Sequence, residues 1–428
     1  MRMLYNVLVN LIAPLAILRL YWRARHAPDY KRRIRERFAH FDIPKEKQHG
    51  IWVHAVSVGE VLASQPLIQA LIKEYPSTPI IVTCMTPTGS ERIKFNLPPE
   101  VFHVYAPYDI ARVVGHFLDK VQPELCILME TELWPNILRV CRARNIPTFL
   151  ANARLSARSA RGYGLPVVKS MTRSMLQDIS LIAAQAKADA NRFIELGAKP
   201  DKVHAVGNMK FDFTLPQSVR ETADMLRSDL GSSRAVWIAA STHEGEDELV
   251  LRAHKKVCEQ HPDSLLILVP RHPERFDKVF HLCEKQGFNT LRRSQSLPCL
   301  PEHQIYLGDT MGELRMLLGA ADVAFIGGSL VPTGGHNMLE AALYGMPILT
   351  GPNTFNFAEV TELLLDAGGM VQVPDWRGLA DTLSAWLADA NLRMSVGQKA
   401  LHVIENNRGA LDRHMRLLQT ILPEKVGR

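Results

Sequence analysis

The sequence has few cysteines and no motif that would organise them. Its six cysteines are scattered over 428 residues, and no two form a Cys-x-x-Cys pair. This excludes a disulfide framework or a zinc ribbon and is typical of reduced thiols in a cytosolic compartment. The sixteen histidines show no His-Glu-x-x-His pattern, and no Asp-x-Asp motif is present. We therefore expect no metal site and no cofactor.

The sequence also lacks the excess of basic residues on its predicted domains that a nucleic-acid-binding protein needs. Its net charge is +6, but residues 1–40 contain nine Lys/Arg and two acidic residues and so carry +7. The rest of the chain therefore carries −1. A basic terminal segment favours an anionic membrane surface over nucleic acid as its partner.

Residues 3–18 are mostly apolar, interrupted by Asn6, Asn10 and Pro14. This run is marginal for a transmembrane helix, and its basic residues follow it rather than precede it as in a signal peptide. We predict an uncleaved membrane anchor over residues 1–40, spanning the bilayer or lying in its interface, with the main body cytoplasmic. A soluble amphipathic helix packed on a domain is the alternative.

Beyond this segment, apolar runs alternate with helical patterns. This pattern predicts parallel sheets covered by helices on both faces. A first series of strands runs from residue 51 to 206, and a second from 235 to 373, with a linker region over about 212–234. We predict an α/β fold of two Rossmann-like domains, residues 41–215 and 216–428, facing a central cleft. The last helix either stays with the second domain or packs back on the first.

The most informative stretch is residues 323–342, where a strand, two glycine pairs and a helix follow one another. We expect the helix to open near His336, with N–H groups that can hold phosphate. Glu340 near that end is suited to the two hydroxyls of a ribose. The pattern indicates a nucleotide-sugar pocket and glycosyl transfer, and an ordinary strand–turn–helix is the alternative.

Two groups of acidic residues follow strands of the first series. Glu60 in Ser57-Val-Gly-Glu60 is either half of a helix capping box or a general base. Glu130 and Glu132 could orient an acceptor, and Trp134 could stack on a sugar ring. Alternatively, Glu132 caps a helix and Trp134 belongs to the core.

Two basic residues are candidates for neutralising phosphate. Lys210 follows the strand near residue 205, where spacing alone favours a solvated lysine over a catalytic one. Arg271 follows the strand near residue 269, and its planar guanidinium matches phosphate oxygens. Two further segments, Ser241-Thr-His-Glu244 and Thr310-Met-Gly-Glu313, have capping-box spacing.

Several motifs taken together resemble the 3-deoxy-D-manno-octulosonic acid (Kdo) transferases of lipopolysaccharide synthesis, along nearly the whole chain. They are Ser57-Val-Gly-Glu60, Met85-Thr-Pro-Thr-Gly-Ser90, Met129-Glu-Thr-Glu-Leu-Trp-Pro-Asn136, Ala151-Asn-Ala-Arg-Leu-Ser156, Ser241-Thr-His-Glu-Gly-Glu246, Val269-Pro-Arg-His-Pro-Glu-Arg275 and Gly334-Gly-His-Asn337.

The resemblance implies a GT-B fold with the acceptor on the N-terminal half and the donor on the C-terminal half. It implies an inverting, metal-independent glycosyltransferase that moves Kdo from CMP-Kdo to lipid IVA, the lipid A precursor. It also implies the cytoplasmic face of the inner membrane, where the anchor would meet phospholipid.

The family's site positions fall on residues of this sequence. The catalytic base corresponds to Glu60, and the transition-state positions to Glu130 and Lys210. The CMP-binding positions correspond to Pro270, Arg271, Met311, Gly312, Glu313, Asn337, Met338, Leu339 and Glu340. Many members have proline where this chain has Met338.

Two other functions are compatible with the pattern. A sugar-nucleotide epimerase can share the two-domain fold, but it acts on a soluble substrate and needs no anchor. A membrane lipid-binding module with an inactive transferase fold is the other, and the full set of charged site residues argues against it.

Overall fold

The computed structural model describes residues 2–25 and 28–422, so the predicted outer boundaries at residues 1 and 428 lie outside the described residues. The chain divides into two compact units. The first consists of Met1–Phe213 with Asn407–Arg428, and the second of Thr214–Asn406.

The first unit is built on a sheet of seven parallel strands in the order β3-β2-β1-β4-β5-β6-β7. Its central strands are buried along their whole length, which explains their near-continuous apolar sequences. The strands are β1 (Ile51–His54), β2 (Ile80–Cys84), β3 (Phe102–Tyr105), β4 (Leu125–Met129), β5 (Thr148–Ala153), β6 (Leu181–Ala184) and β7 (Val203–Ala205).

Helices connect these strands, and one helix from the end of the chain joins them. Leu418 and Ala410 of this last helix are fully buried in the same core cluster as strands of the first sheet. The helices are α1 (Arg2–Arg23), α2 (Val58–Glu74), α3 (Pro87–Asn96), α4 (Ala111–Val121), α5 (Pro135–Ala143), α6 (Ala157–Tyr163), α7 (Pro166–Asp178), α8 (Lys187–Glu195) and α17 (Ala410–Gln419).

The second unit contains another parallel sheet of seven strands, in the order β10-β11-β9-β8-β12-β13-β14. Sequence reasoning missed β10, which has only three residues and lies at the sheet edge. The strands are β8 (Val236–Thr242), β9 (Leu265–Pro270), β10 (Thr290–Arg292), β11 (Ile305–Leu307), β12 (Val323–Ile326), β13 (Ile348–Thr350) and β14 (Met370–Gln372).

The helices of the second unit cover this sheet. They are α9 (Gln217–Leu230), α10 (Asp247–Gln260), α11 (Phe276–Lys285), α12 (Leu314–Gly319), α13 (Leu339–Leu343), α14 (Ala358–Asp366), α15 (Trp376–Ala388) and α16 (Ala390–Asn407). The linker region over about 212–234 contains the polar helix that its sequence pattern indicates, and this helix belongs to the second unit. Residues 217–230 form α9, which buries Ala223, Leu226 and Leu230 and packs on α12.

In each sheet the strand order reverses beside the first strand of the unit. The reversal lies between β1 and β4 in the first unit and between β8 and β12 in the second. Ligands of open parallel sheets bind at such points, outside the carboxyl ends of the strands. The loops after these four strands are therefore the expected location of functional residues in each unit. The two parallel-sheet units confirm the predicted α/β fold class.

Replacing Leu418 by alanine tests whether α17 is an integral part of the first unit. Truncating a fully buried leucine should cost about 2–5 kcal/mol, so amide exchange in β5 and β6 should accelerate. Gln419→Ala on the exposed side of the same helix is the matched control and should leave exchange unchanged. Equal exchange in both variants would mean that α17 does not stabilise this sheet.

Candidate active site

Glu60 lies in the first turn of α2, directly after the loop that follows β1. Both halves of a capping box are formed, because Ser57 Oγ accepts from the N–H of Glu60 (3.2 Å) and Glu60 accepts from the N–H of Ser57 (3.3 Å). The carboxylate also accepts from Ser57 Oγ (2.6 Å) and from the N–H of Val56 (2.8 Å). A carboxylate has about four acceptor positions, so roughly one remains for a ligand.

The surroundings of Glu60 favour its protonated form. The residue is only 7% exposed, and burial raises its pKa from 4.5 to about 7, with the charges of Glu132 and Glu130 as further causes. The hydrogen bonds from Ser57 and Val56 oppose this rise. A carboxyl group with a pKa near 7 can take up a proton and release it again at neutral pH. The capping and base interpretations of Glu60 are therefore compatible.

The loop after β4 brings Glu130, Glu132 and Trp134 to the neighbouring strand end. Glu130 adopts a left-handed backbone conformation (φ 53°), which is uncommon for a residue with a side chain. Burial, then the charge of Glu130, raises the pKa of Glu132, whose carboxylate accepts a hydrogen bond from Trp134 Nε1. The ring of Trp134 packs edge-on against that of buried His54 (centroids 5.3 Å apart). The indole is half-buried and also packs against the core of the first unit, as in the alternative interpretation, and its stacking on a sugar stays a prediction.

Lys210 and Glu130 form an ion pair, with Nζ and Oε1 3.2 Å apart. Their side chains are 37% and 23% exposed, respectively, so both remain accessible to a ligand. The structure therefore brings Glu60, Glu130 and Lys210 to the carboxyl edge of one sheet, as the resemblance implies. Spacing alone favoured a solvated lysine, and the 37% exposure of the Lys210 side chain agrees with that interpretation. The ion pair adds a specific acidic partner, and a catalytic role for Lys210 stays a prediction.

A buried polar network that sequence reasoning missed supports the Lys210 loop. Asn208 Oδ1 accepts from the N–H of Lys210 (3.0 Å), and Asn152 Oδ1 accepts from the N–H of Met209 (3.1 Å). The N–H of Asn152 donates to Nε2 of His414 on α17 (2.9 Å). Asn152 belongs to the motif Ala151-Asn-Ala-Arg-Leu-Ser156, but nothing in the sequence shows that a residue some 260 positions later is its partner.

In the second unit, two arginines near the end of β9 have different environments. Arg275 donates to the carbonyl of Thr242 (2.7 Å) and forms an ion pair with Asp247, so its charge is used within the fold. Arg271, directly after Pro270, donates its backbone N–H to the same carbonyl (3.0 Å). Its guanidinium forms no ion pair with the described residues. It therefore remains available for an anion.

Glu246 is a structural acid that spacing did not identify. It is fully buried and accepts from the N–H groups of Gly328 (2.6 Å), Ser329 (3.0 Å) and Leu330 (2.9 Å). It thereby joins the loop after β8 to the glycine-rich loop after β12. The capping box expected at Ser241-Thr-His-Glu244 is wrong, since α10 begins only at Asp247.

The helix after the glycine pairs begins later than expected. It was expected near His336, but α13 begins at Leu339, whose N–H donates to Asn337 Oδ1 (3.1 Å). Met338 and Leu339 are buried, and Glu340 pairs with Arg315 (Oε1 to Nε 2.9 Å). The short helix leaves less of a dipole for phosphate than the sequence indicated, and Glu340 sits in its first turn.

The segment Met311-Gly312-Glu313 precedes α12. Met311 is 61% exposed, and Gly312 has a left-handed conformation (φ 86°) that favours glycine. Glu313 makes a two-point contact with Arg293 (3.1 and 3.0 Å), which lowers the pKa of Glu313. Because α12 begins at Leu314 with no side-chain cap, the capping box expected from Thr310 is wrong.

Three histidines surround the glycine-rich loop, and sequence reasoning did not single them out. The Nε2 atoms of His243 and His336 lie 2.7 Å apart, and the ring of His272 packs edge-on against that of His243. Burial, with His243, Arg271 and His272 as positive neighbours, lowers the pKa of His336 to about 4. An approaching anion would favour the charged rings. Within the described residues, no group of three or more His, Cys, Asp or Glu could hold a metal.

Two family models match the chain. The first, described as 3-deoxy-D-manno-octulosonic-acid transferase (kdotransferase), matches residues 32–213, and the second, glycosyl transferases group 1, matches residues 233–403. The 3-deoxy-D-manno-octulosonic acid transferase of Haemophilus influenzae is 41% identical over 427 residues, covering 99% of this chain and 100% of that protein. That of Bordetella pertussis is 34% identical over 434 residues, covering 98% and 99%.

Among solved structures, a UDP-GlcNAc 2-epimerase from Neisseria meningitidis matches with a TM-score of 0.58. The match covers 87% of this chain and 100% of that chain, at 12% sequence identity. At this identity the likeness shows the fold alone.

Replacing Glu132 by glutamine tests what raises the pKa of Glu60. Removing one like charge while keeping the shape should lower the pKa of Glu60 from about 7 towards its ordinary value. The measurement is a carbon-13 NMR titration of labelled glutamate carboxyls. Glu74→Gln, at the exposed end of α2, the helix that contains Glu60, should leave the titration of Glu60 unchanged. An unchanged midpoint in the Glu132 variant would mean that the charge of Glu132 does not raise the pKa of Glu60.

Proposed function

Because this chain belongs to the Kdo transferase family and is therefore a glycosyltransferase, we propose that it transfers Kdo from CMP-Kdo to lipid IVA. The family assignment rests on 41% identity to the Haemophilus influenzae enzyme over the full length of that protein. The specific donor, acceptor and stereochemistry are our proposal, supported by residues that follow the strands of the two sheets at their carboxyl ends.

The observation that carries the proposal is the environment of Glu60. A general base for glycosyl transfer must be unprotonated in part at neutral pH and must have an open acceptor position. Glu60 has a pKa of about 7 and about one acceptor position left by its local hydrogen bonds. We assign it the removal of the proton from the acceptor hydroxyl.

The bond changes follow from this role. The acceptor oxygen attacks the anomeric carbon of Kdo on the face opposite CMP, and its proton goes to Glu60. The bond from that carbon to the phosphate oxygen breaks, and its electron pair leaves with CMP. Attack from the opposite face inverts the anomeric configuration.

Negative charge grows on the departing phosphate and must be offset. In our proposal Arg271 binds the phosphate, since its guanidinium is not used within the fold. Lys210 offsets charge in the transition state, and Glu130 holds its ammonium group at 3.2 Å.

The remaining predicted donor positions recognise the nucleotide. Glu340 would take the ribose hydroxyls, exchanging part of its contact with Arg315 for them. The Met311-Gly312-Glu313 segment and Asn337, Met338 and Leu339 would line the cytidine side. The histidine cluster beside Arg271 lies in the same unit and would add N–H donors to the anion.

Among the residues that the structure describes, one helix, Met3–Arg23, is long and apolar enough to cross a membrane by length and composition. This is consistent with membrane association. We propose the cytoplasmic face of the inner membrane as the location, with the basic residues after the helix contacting anionic phospholipid.

Glu60→Gln tests the base. Glutamine can still complete the capping box but cannot accept the proton, so kcat should fall by roughly 10²–10⁴-fold. Mass spectrometry of the product from CMP-Kdo and lipid IVA provides the assay, and Glu74→Gln is the matched control. CMP affinity should change little. Substantial turnover by the Glu60 variant would remove this residue from its role.

Arg271→Ala tests the donor site. Loss of the phosphate contact should weaken CMP binding by roughly tenfold or more, measured by isothermal titration calorimetry. Arg252→Ala, exposed on α10, is the matched control for the loss of one positive charge. Equal affinities for the two variants would exclude a direct contact between Arg271 and the phosphate.

A further inference from the structure

Helix α1 exposes one broad apolar face. Ten large apolar side chains on it are 45–83% exposed: Met3, Leu4, Val7, Leu8, Leu11, Ile12, Leu15, Leu18, Tyr21 and Trp22. They recur at helical spacing, while residues between them, such as Val9, Ala13, Ile17 and Leu20, are partly buried. The helix thus has two sides, one turned towards the protein and one towards its surroundings.

The amino-terminal end of α1 is fixed to the first unit. The hydroxyl of Tyr5 donates to Asp109 Oδ2 (2.7 Å), and Asp109 is only 4% exposed. The same carboxylate accepts from the N–H groups of Asn136 (3.0 Å) and Ile137 (2.8 Å) at the start of α5. Tyr5 is therefore joined through one side chain to the helix that follows the Glu130–Trp134 loop.

The segment after α1 is fixed to the same unit. The guanidinium of Arg23 lies over the ring of Tyr30 (5.3 Å), shortly before Arg33 and Arg37. Arg33 donates to Ser90 Oγ (3.1 Å) and to the carbonyl of His103 (3.0 Å), and buried Arg37 donates to the carbonyl of Met85 (2.9 Å). Both ends of α1 are thus attached to the first unit.

This double attachment does not fit a spanning helix. Tyr5 and Arg23 are eighteen residues apart, about 27 Å along an α-helix, and the hydrocarbon core is about 30 Å thick. If α1 crossed the bilayer, Tyr5 would lie near the opposite surface from Arg23. The buried Asp109 that holds Tyr5, together with its sheet, would then have to lie there too.

We propose that α1 lies in the plane of one membrane leaflet, its exposed apolar face in the acyl layer and its Tyr5 end held beside the Glu130–Trp134 loop. The helix then places this loop at the depth of lipid head groups. The use of this depth, to bring the loop to the head group of a lipid acceptor, rests on the proposed function.

The features of the face favour lipid over a second copy of the chain. A two-stranded coiled coil needs only a narrow row of apolar side chains along each helix. The apolar face of α1 is wider than such a row, because adjacent residues such as Leu11 and Ile12 both belong to it. Basic residues at and beyond the carboxyl end of the helix, among them Arg19, Arg23 and Arg32, complement anionic head groups.

Depth-dependent quenching tests the orientation. In a Cys258→Ser, Cys299→Ser background, Leu4→Cys, Leu11→Cys and Leu18→Cys each carry an environment-sensitive fluorophore. The full chain is reconstituted into vesicles of phosphatidylethanolamine and phosphatidylglycerol with nitroxides at shallow or deep acyl positions. Glu100→Cys, exposed on the first unit, is the water-facing control.

The in-plane helix should give similar quenching at all three positions, strongest with the shallow nitroxide, and none at residue 100. A spanning helix would place residue 11 about 10 Å deeper than residues 4 and 18, and that profile would overturn the proposal. Absence of lipid quenching at all three positions, as for a face covered by a second copy, would overturn it equally. The readout needs no transfer activity, so its failure is distinct from failure of the proposed reaction.

Discussion

The candidate site of the first unit depends on a buried carboxylate, Glu60, that lies near two other acidic side chains, Glu132 and Glu130. Burying its charged form would be unfavourable without hydrogen bonds from the N–H of Val56 and the hydroxyl of Ser57. These two donors also hold the carboxylate near the end of β1. Those donors favour the charged form, whereas burial and Glu132 favour the neutral one. The balance between these opposing effects leaves a group that exchanges a proton near neutrality.

The same chemical group has different roles according to its partners. Glu246 is as buried as a catalytic acid, yet several backbone N–H groups of the glycine-rich loop saturate it, so it fixes a loop. Asp109 likewise caps α5 and receives Tyr5. Glu130, by contrast, keeps a partly exposed side chain whose partner is the ammonium group of Lys210, itself 37% exposed. Saturation of the acceptor positions separates the structural acids from those available to a ligand.

Long-range contacts organise the first unit from both ends of the chain. The amino-terminal helix reaches Asp109, and α17 supplies His414 to the network under the Lys210 loop. Burial lowers the pKa of His414 to about 4, so its ring stays neutral and can accept from the N–H of Asn152 at physiological pH. The site thus depends on segments that no local pattern connects to it.

The alternation of strands and helices could be predicted from the sequence alone, because buried parallel strands require continuous apolar runs. The sequence also determined which residue types follow the strands, and hence the candidates Glu60, Glu130 and Arg271. Strand β10 escaped prediction because its sequence, Thr290-Leu-Arg292, contains a single buried apolar residue. The start of α13 escaped it as well, because the helix has only five residues. Three features became visible only in the folded chain. Glu60 is buried near the charge of Glu132, and Lys210 forms an ion pair with Glu130. Arg275, unlike Arg271, forms an ion pair with Asp247. Burial and pairing depend on residues distant in the chain, and a linear pattern does not contain those distances.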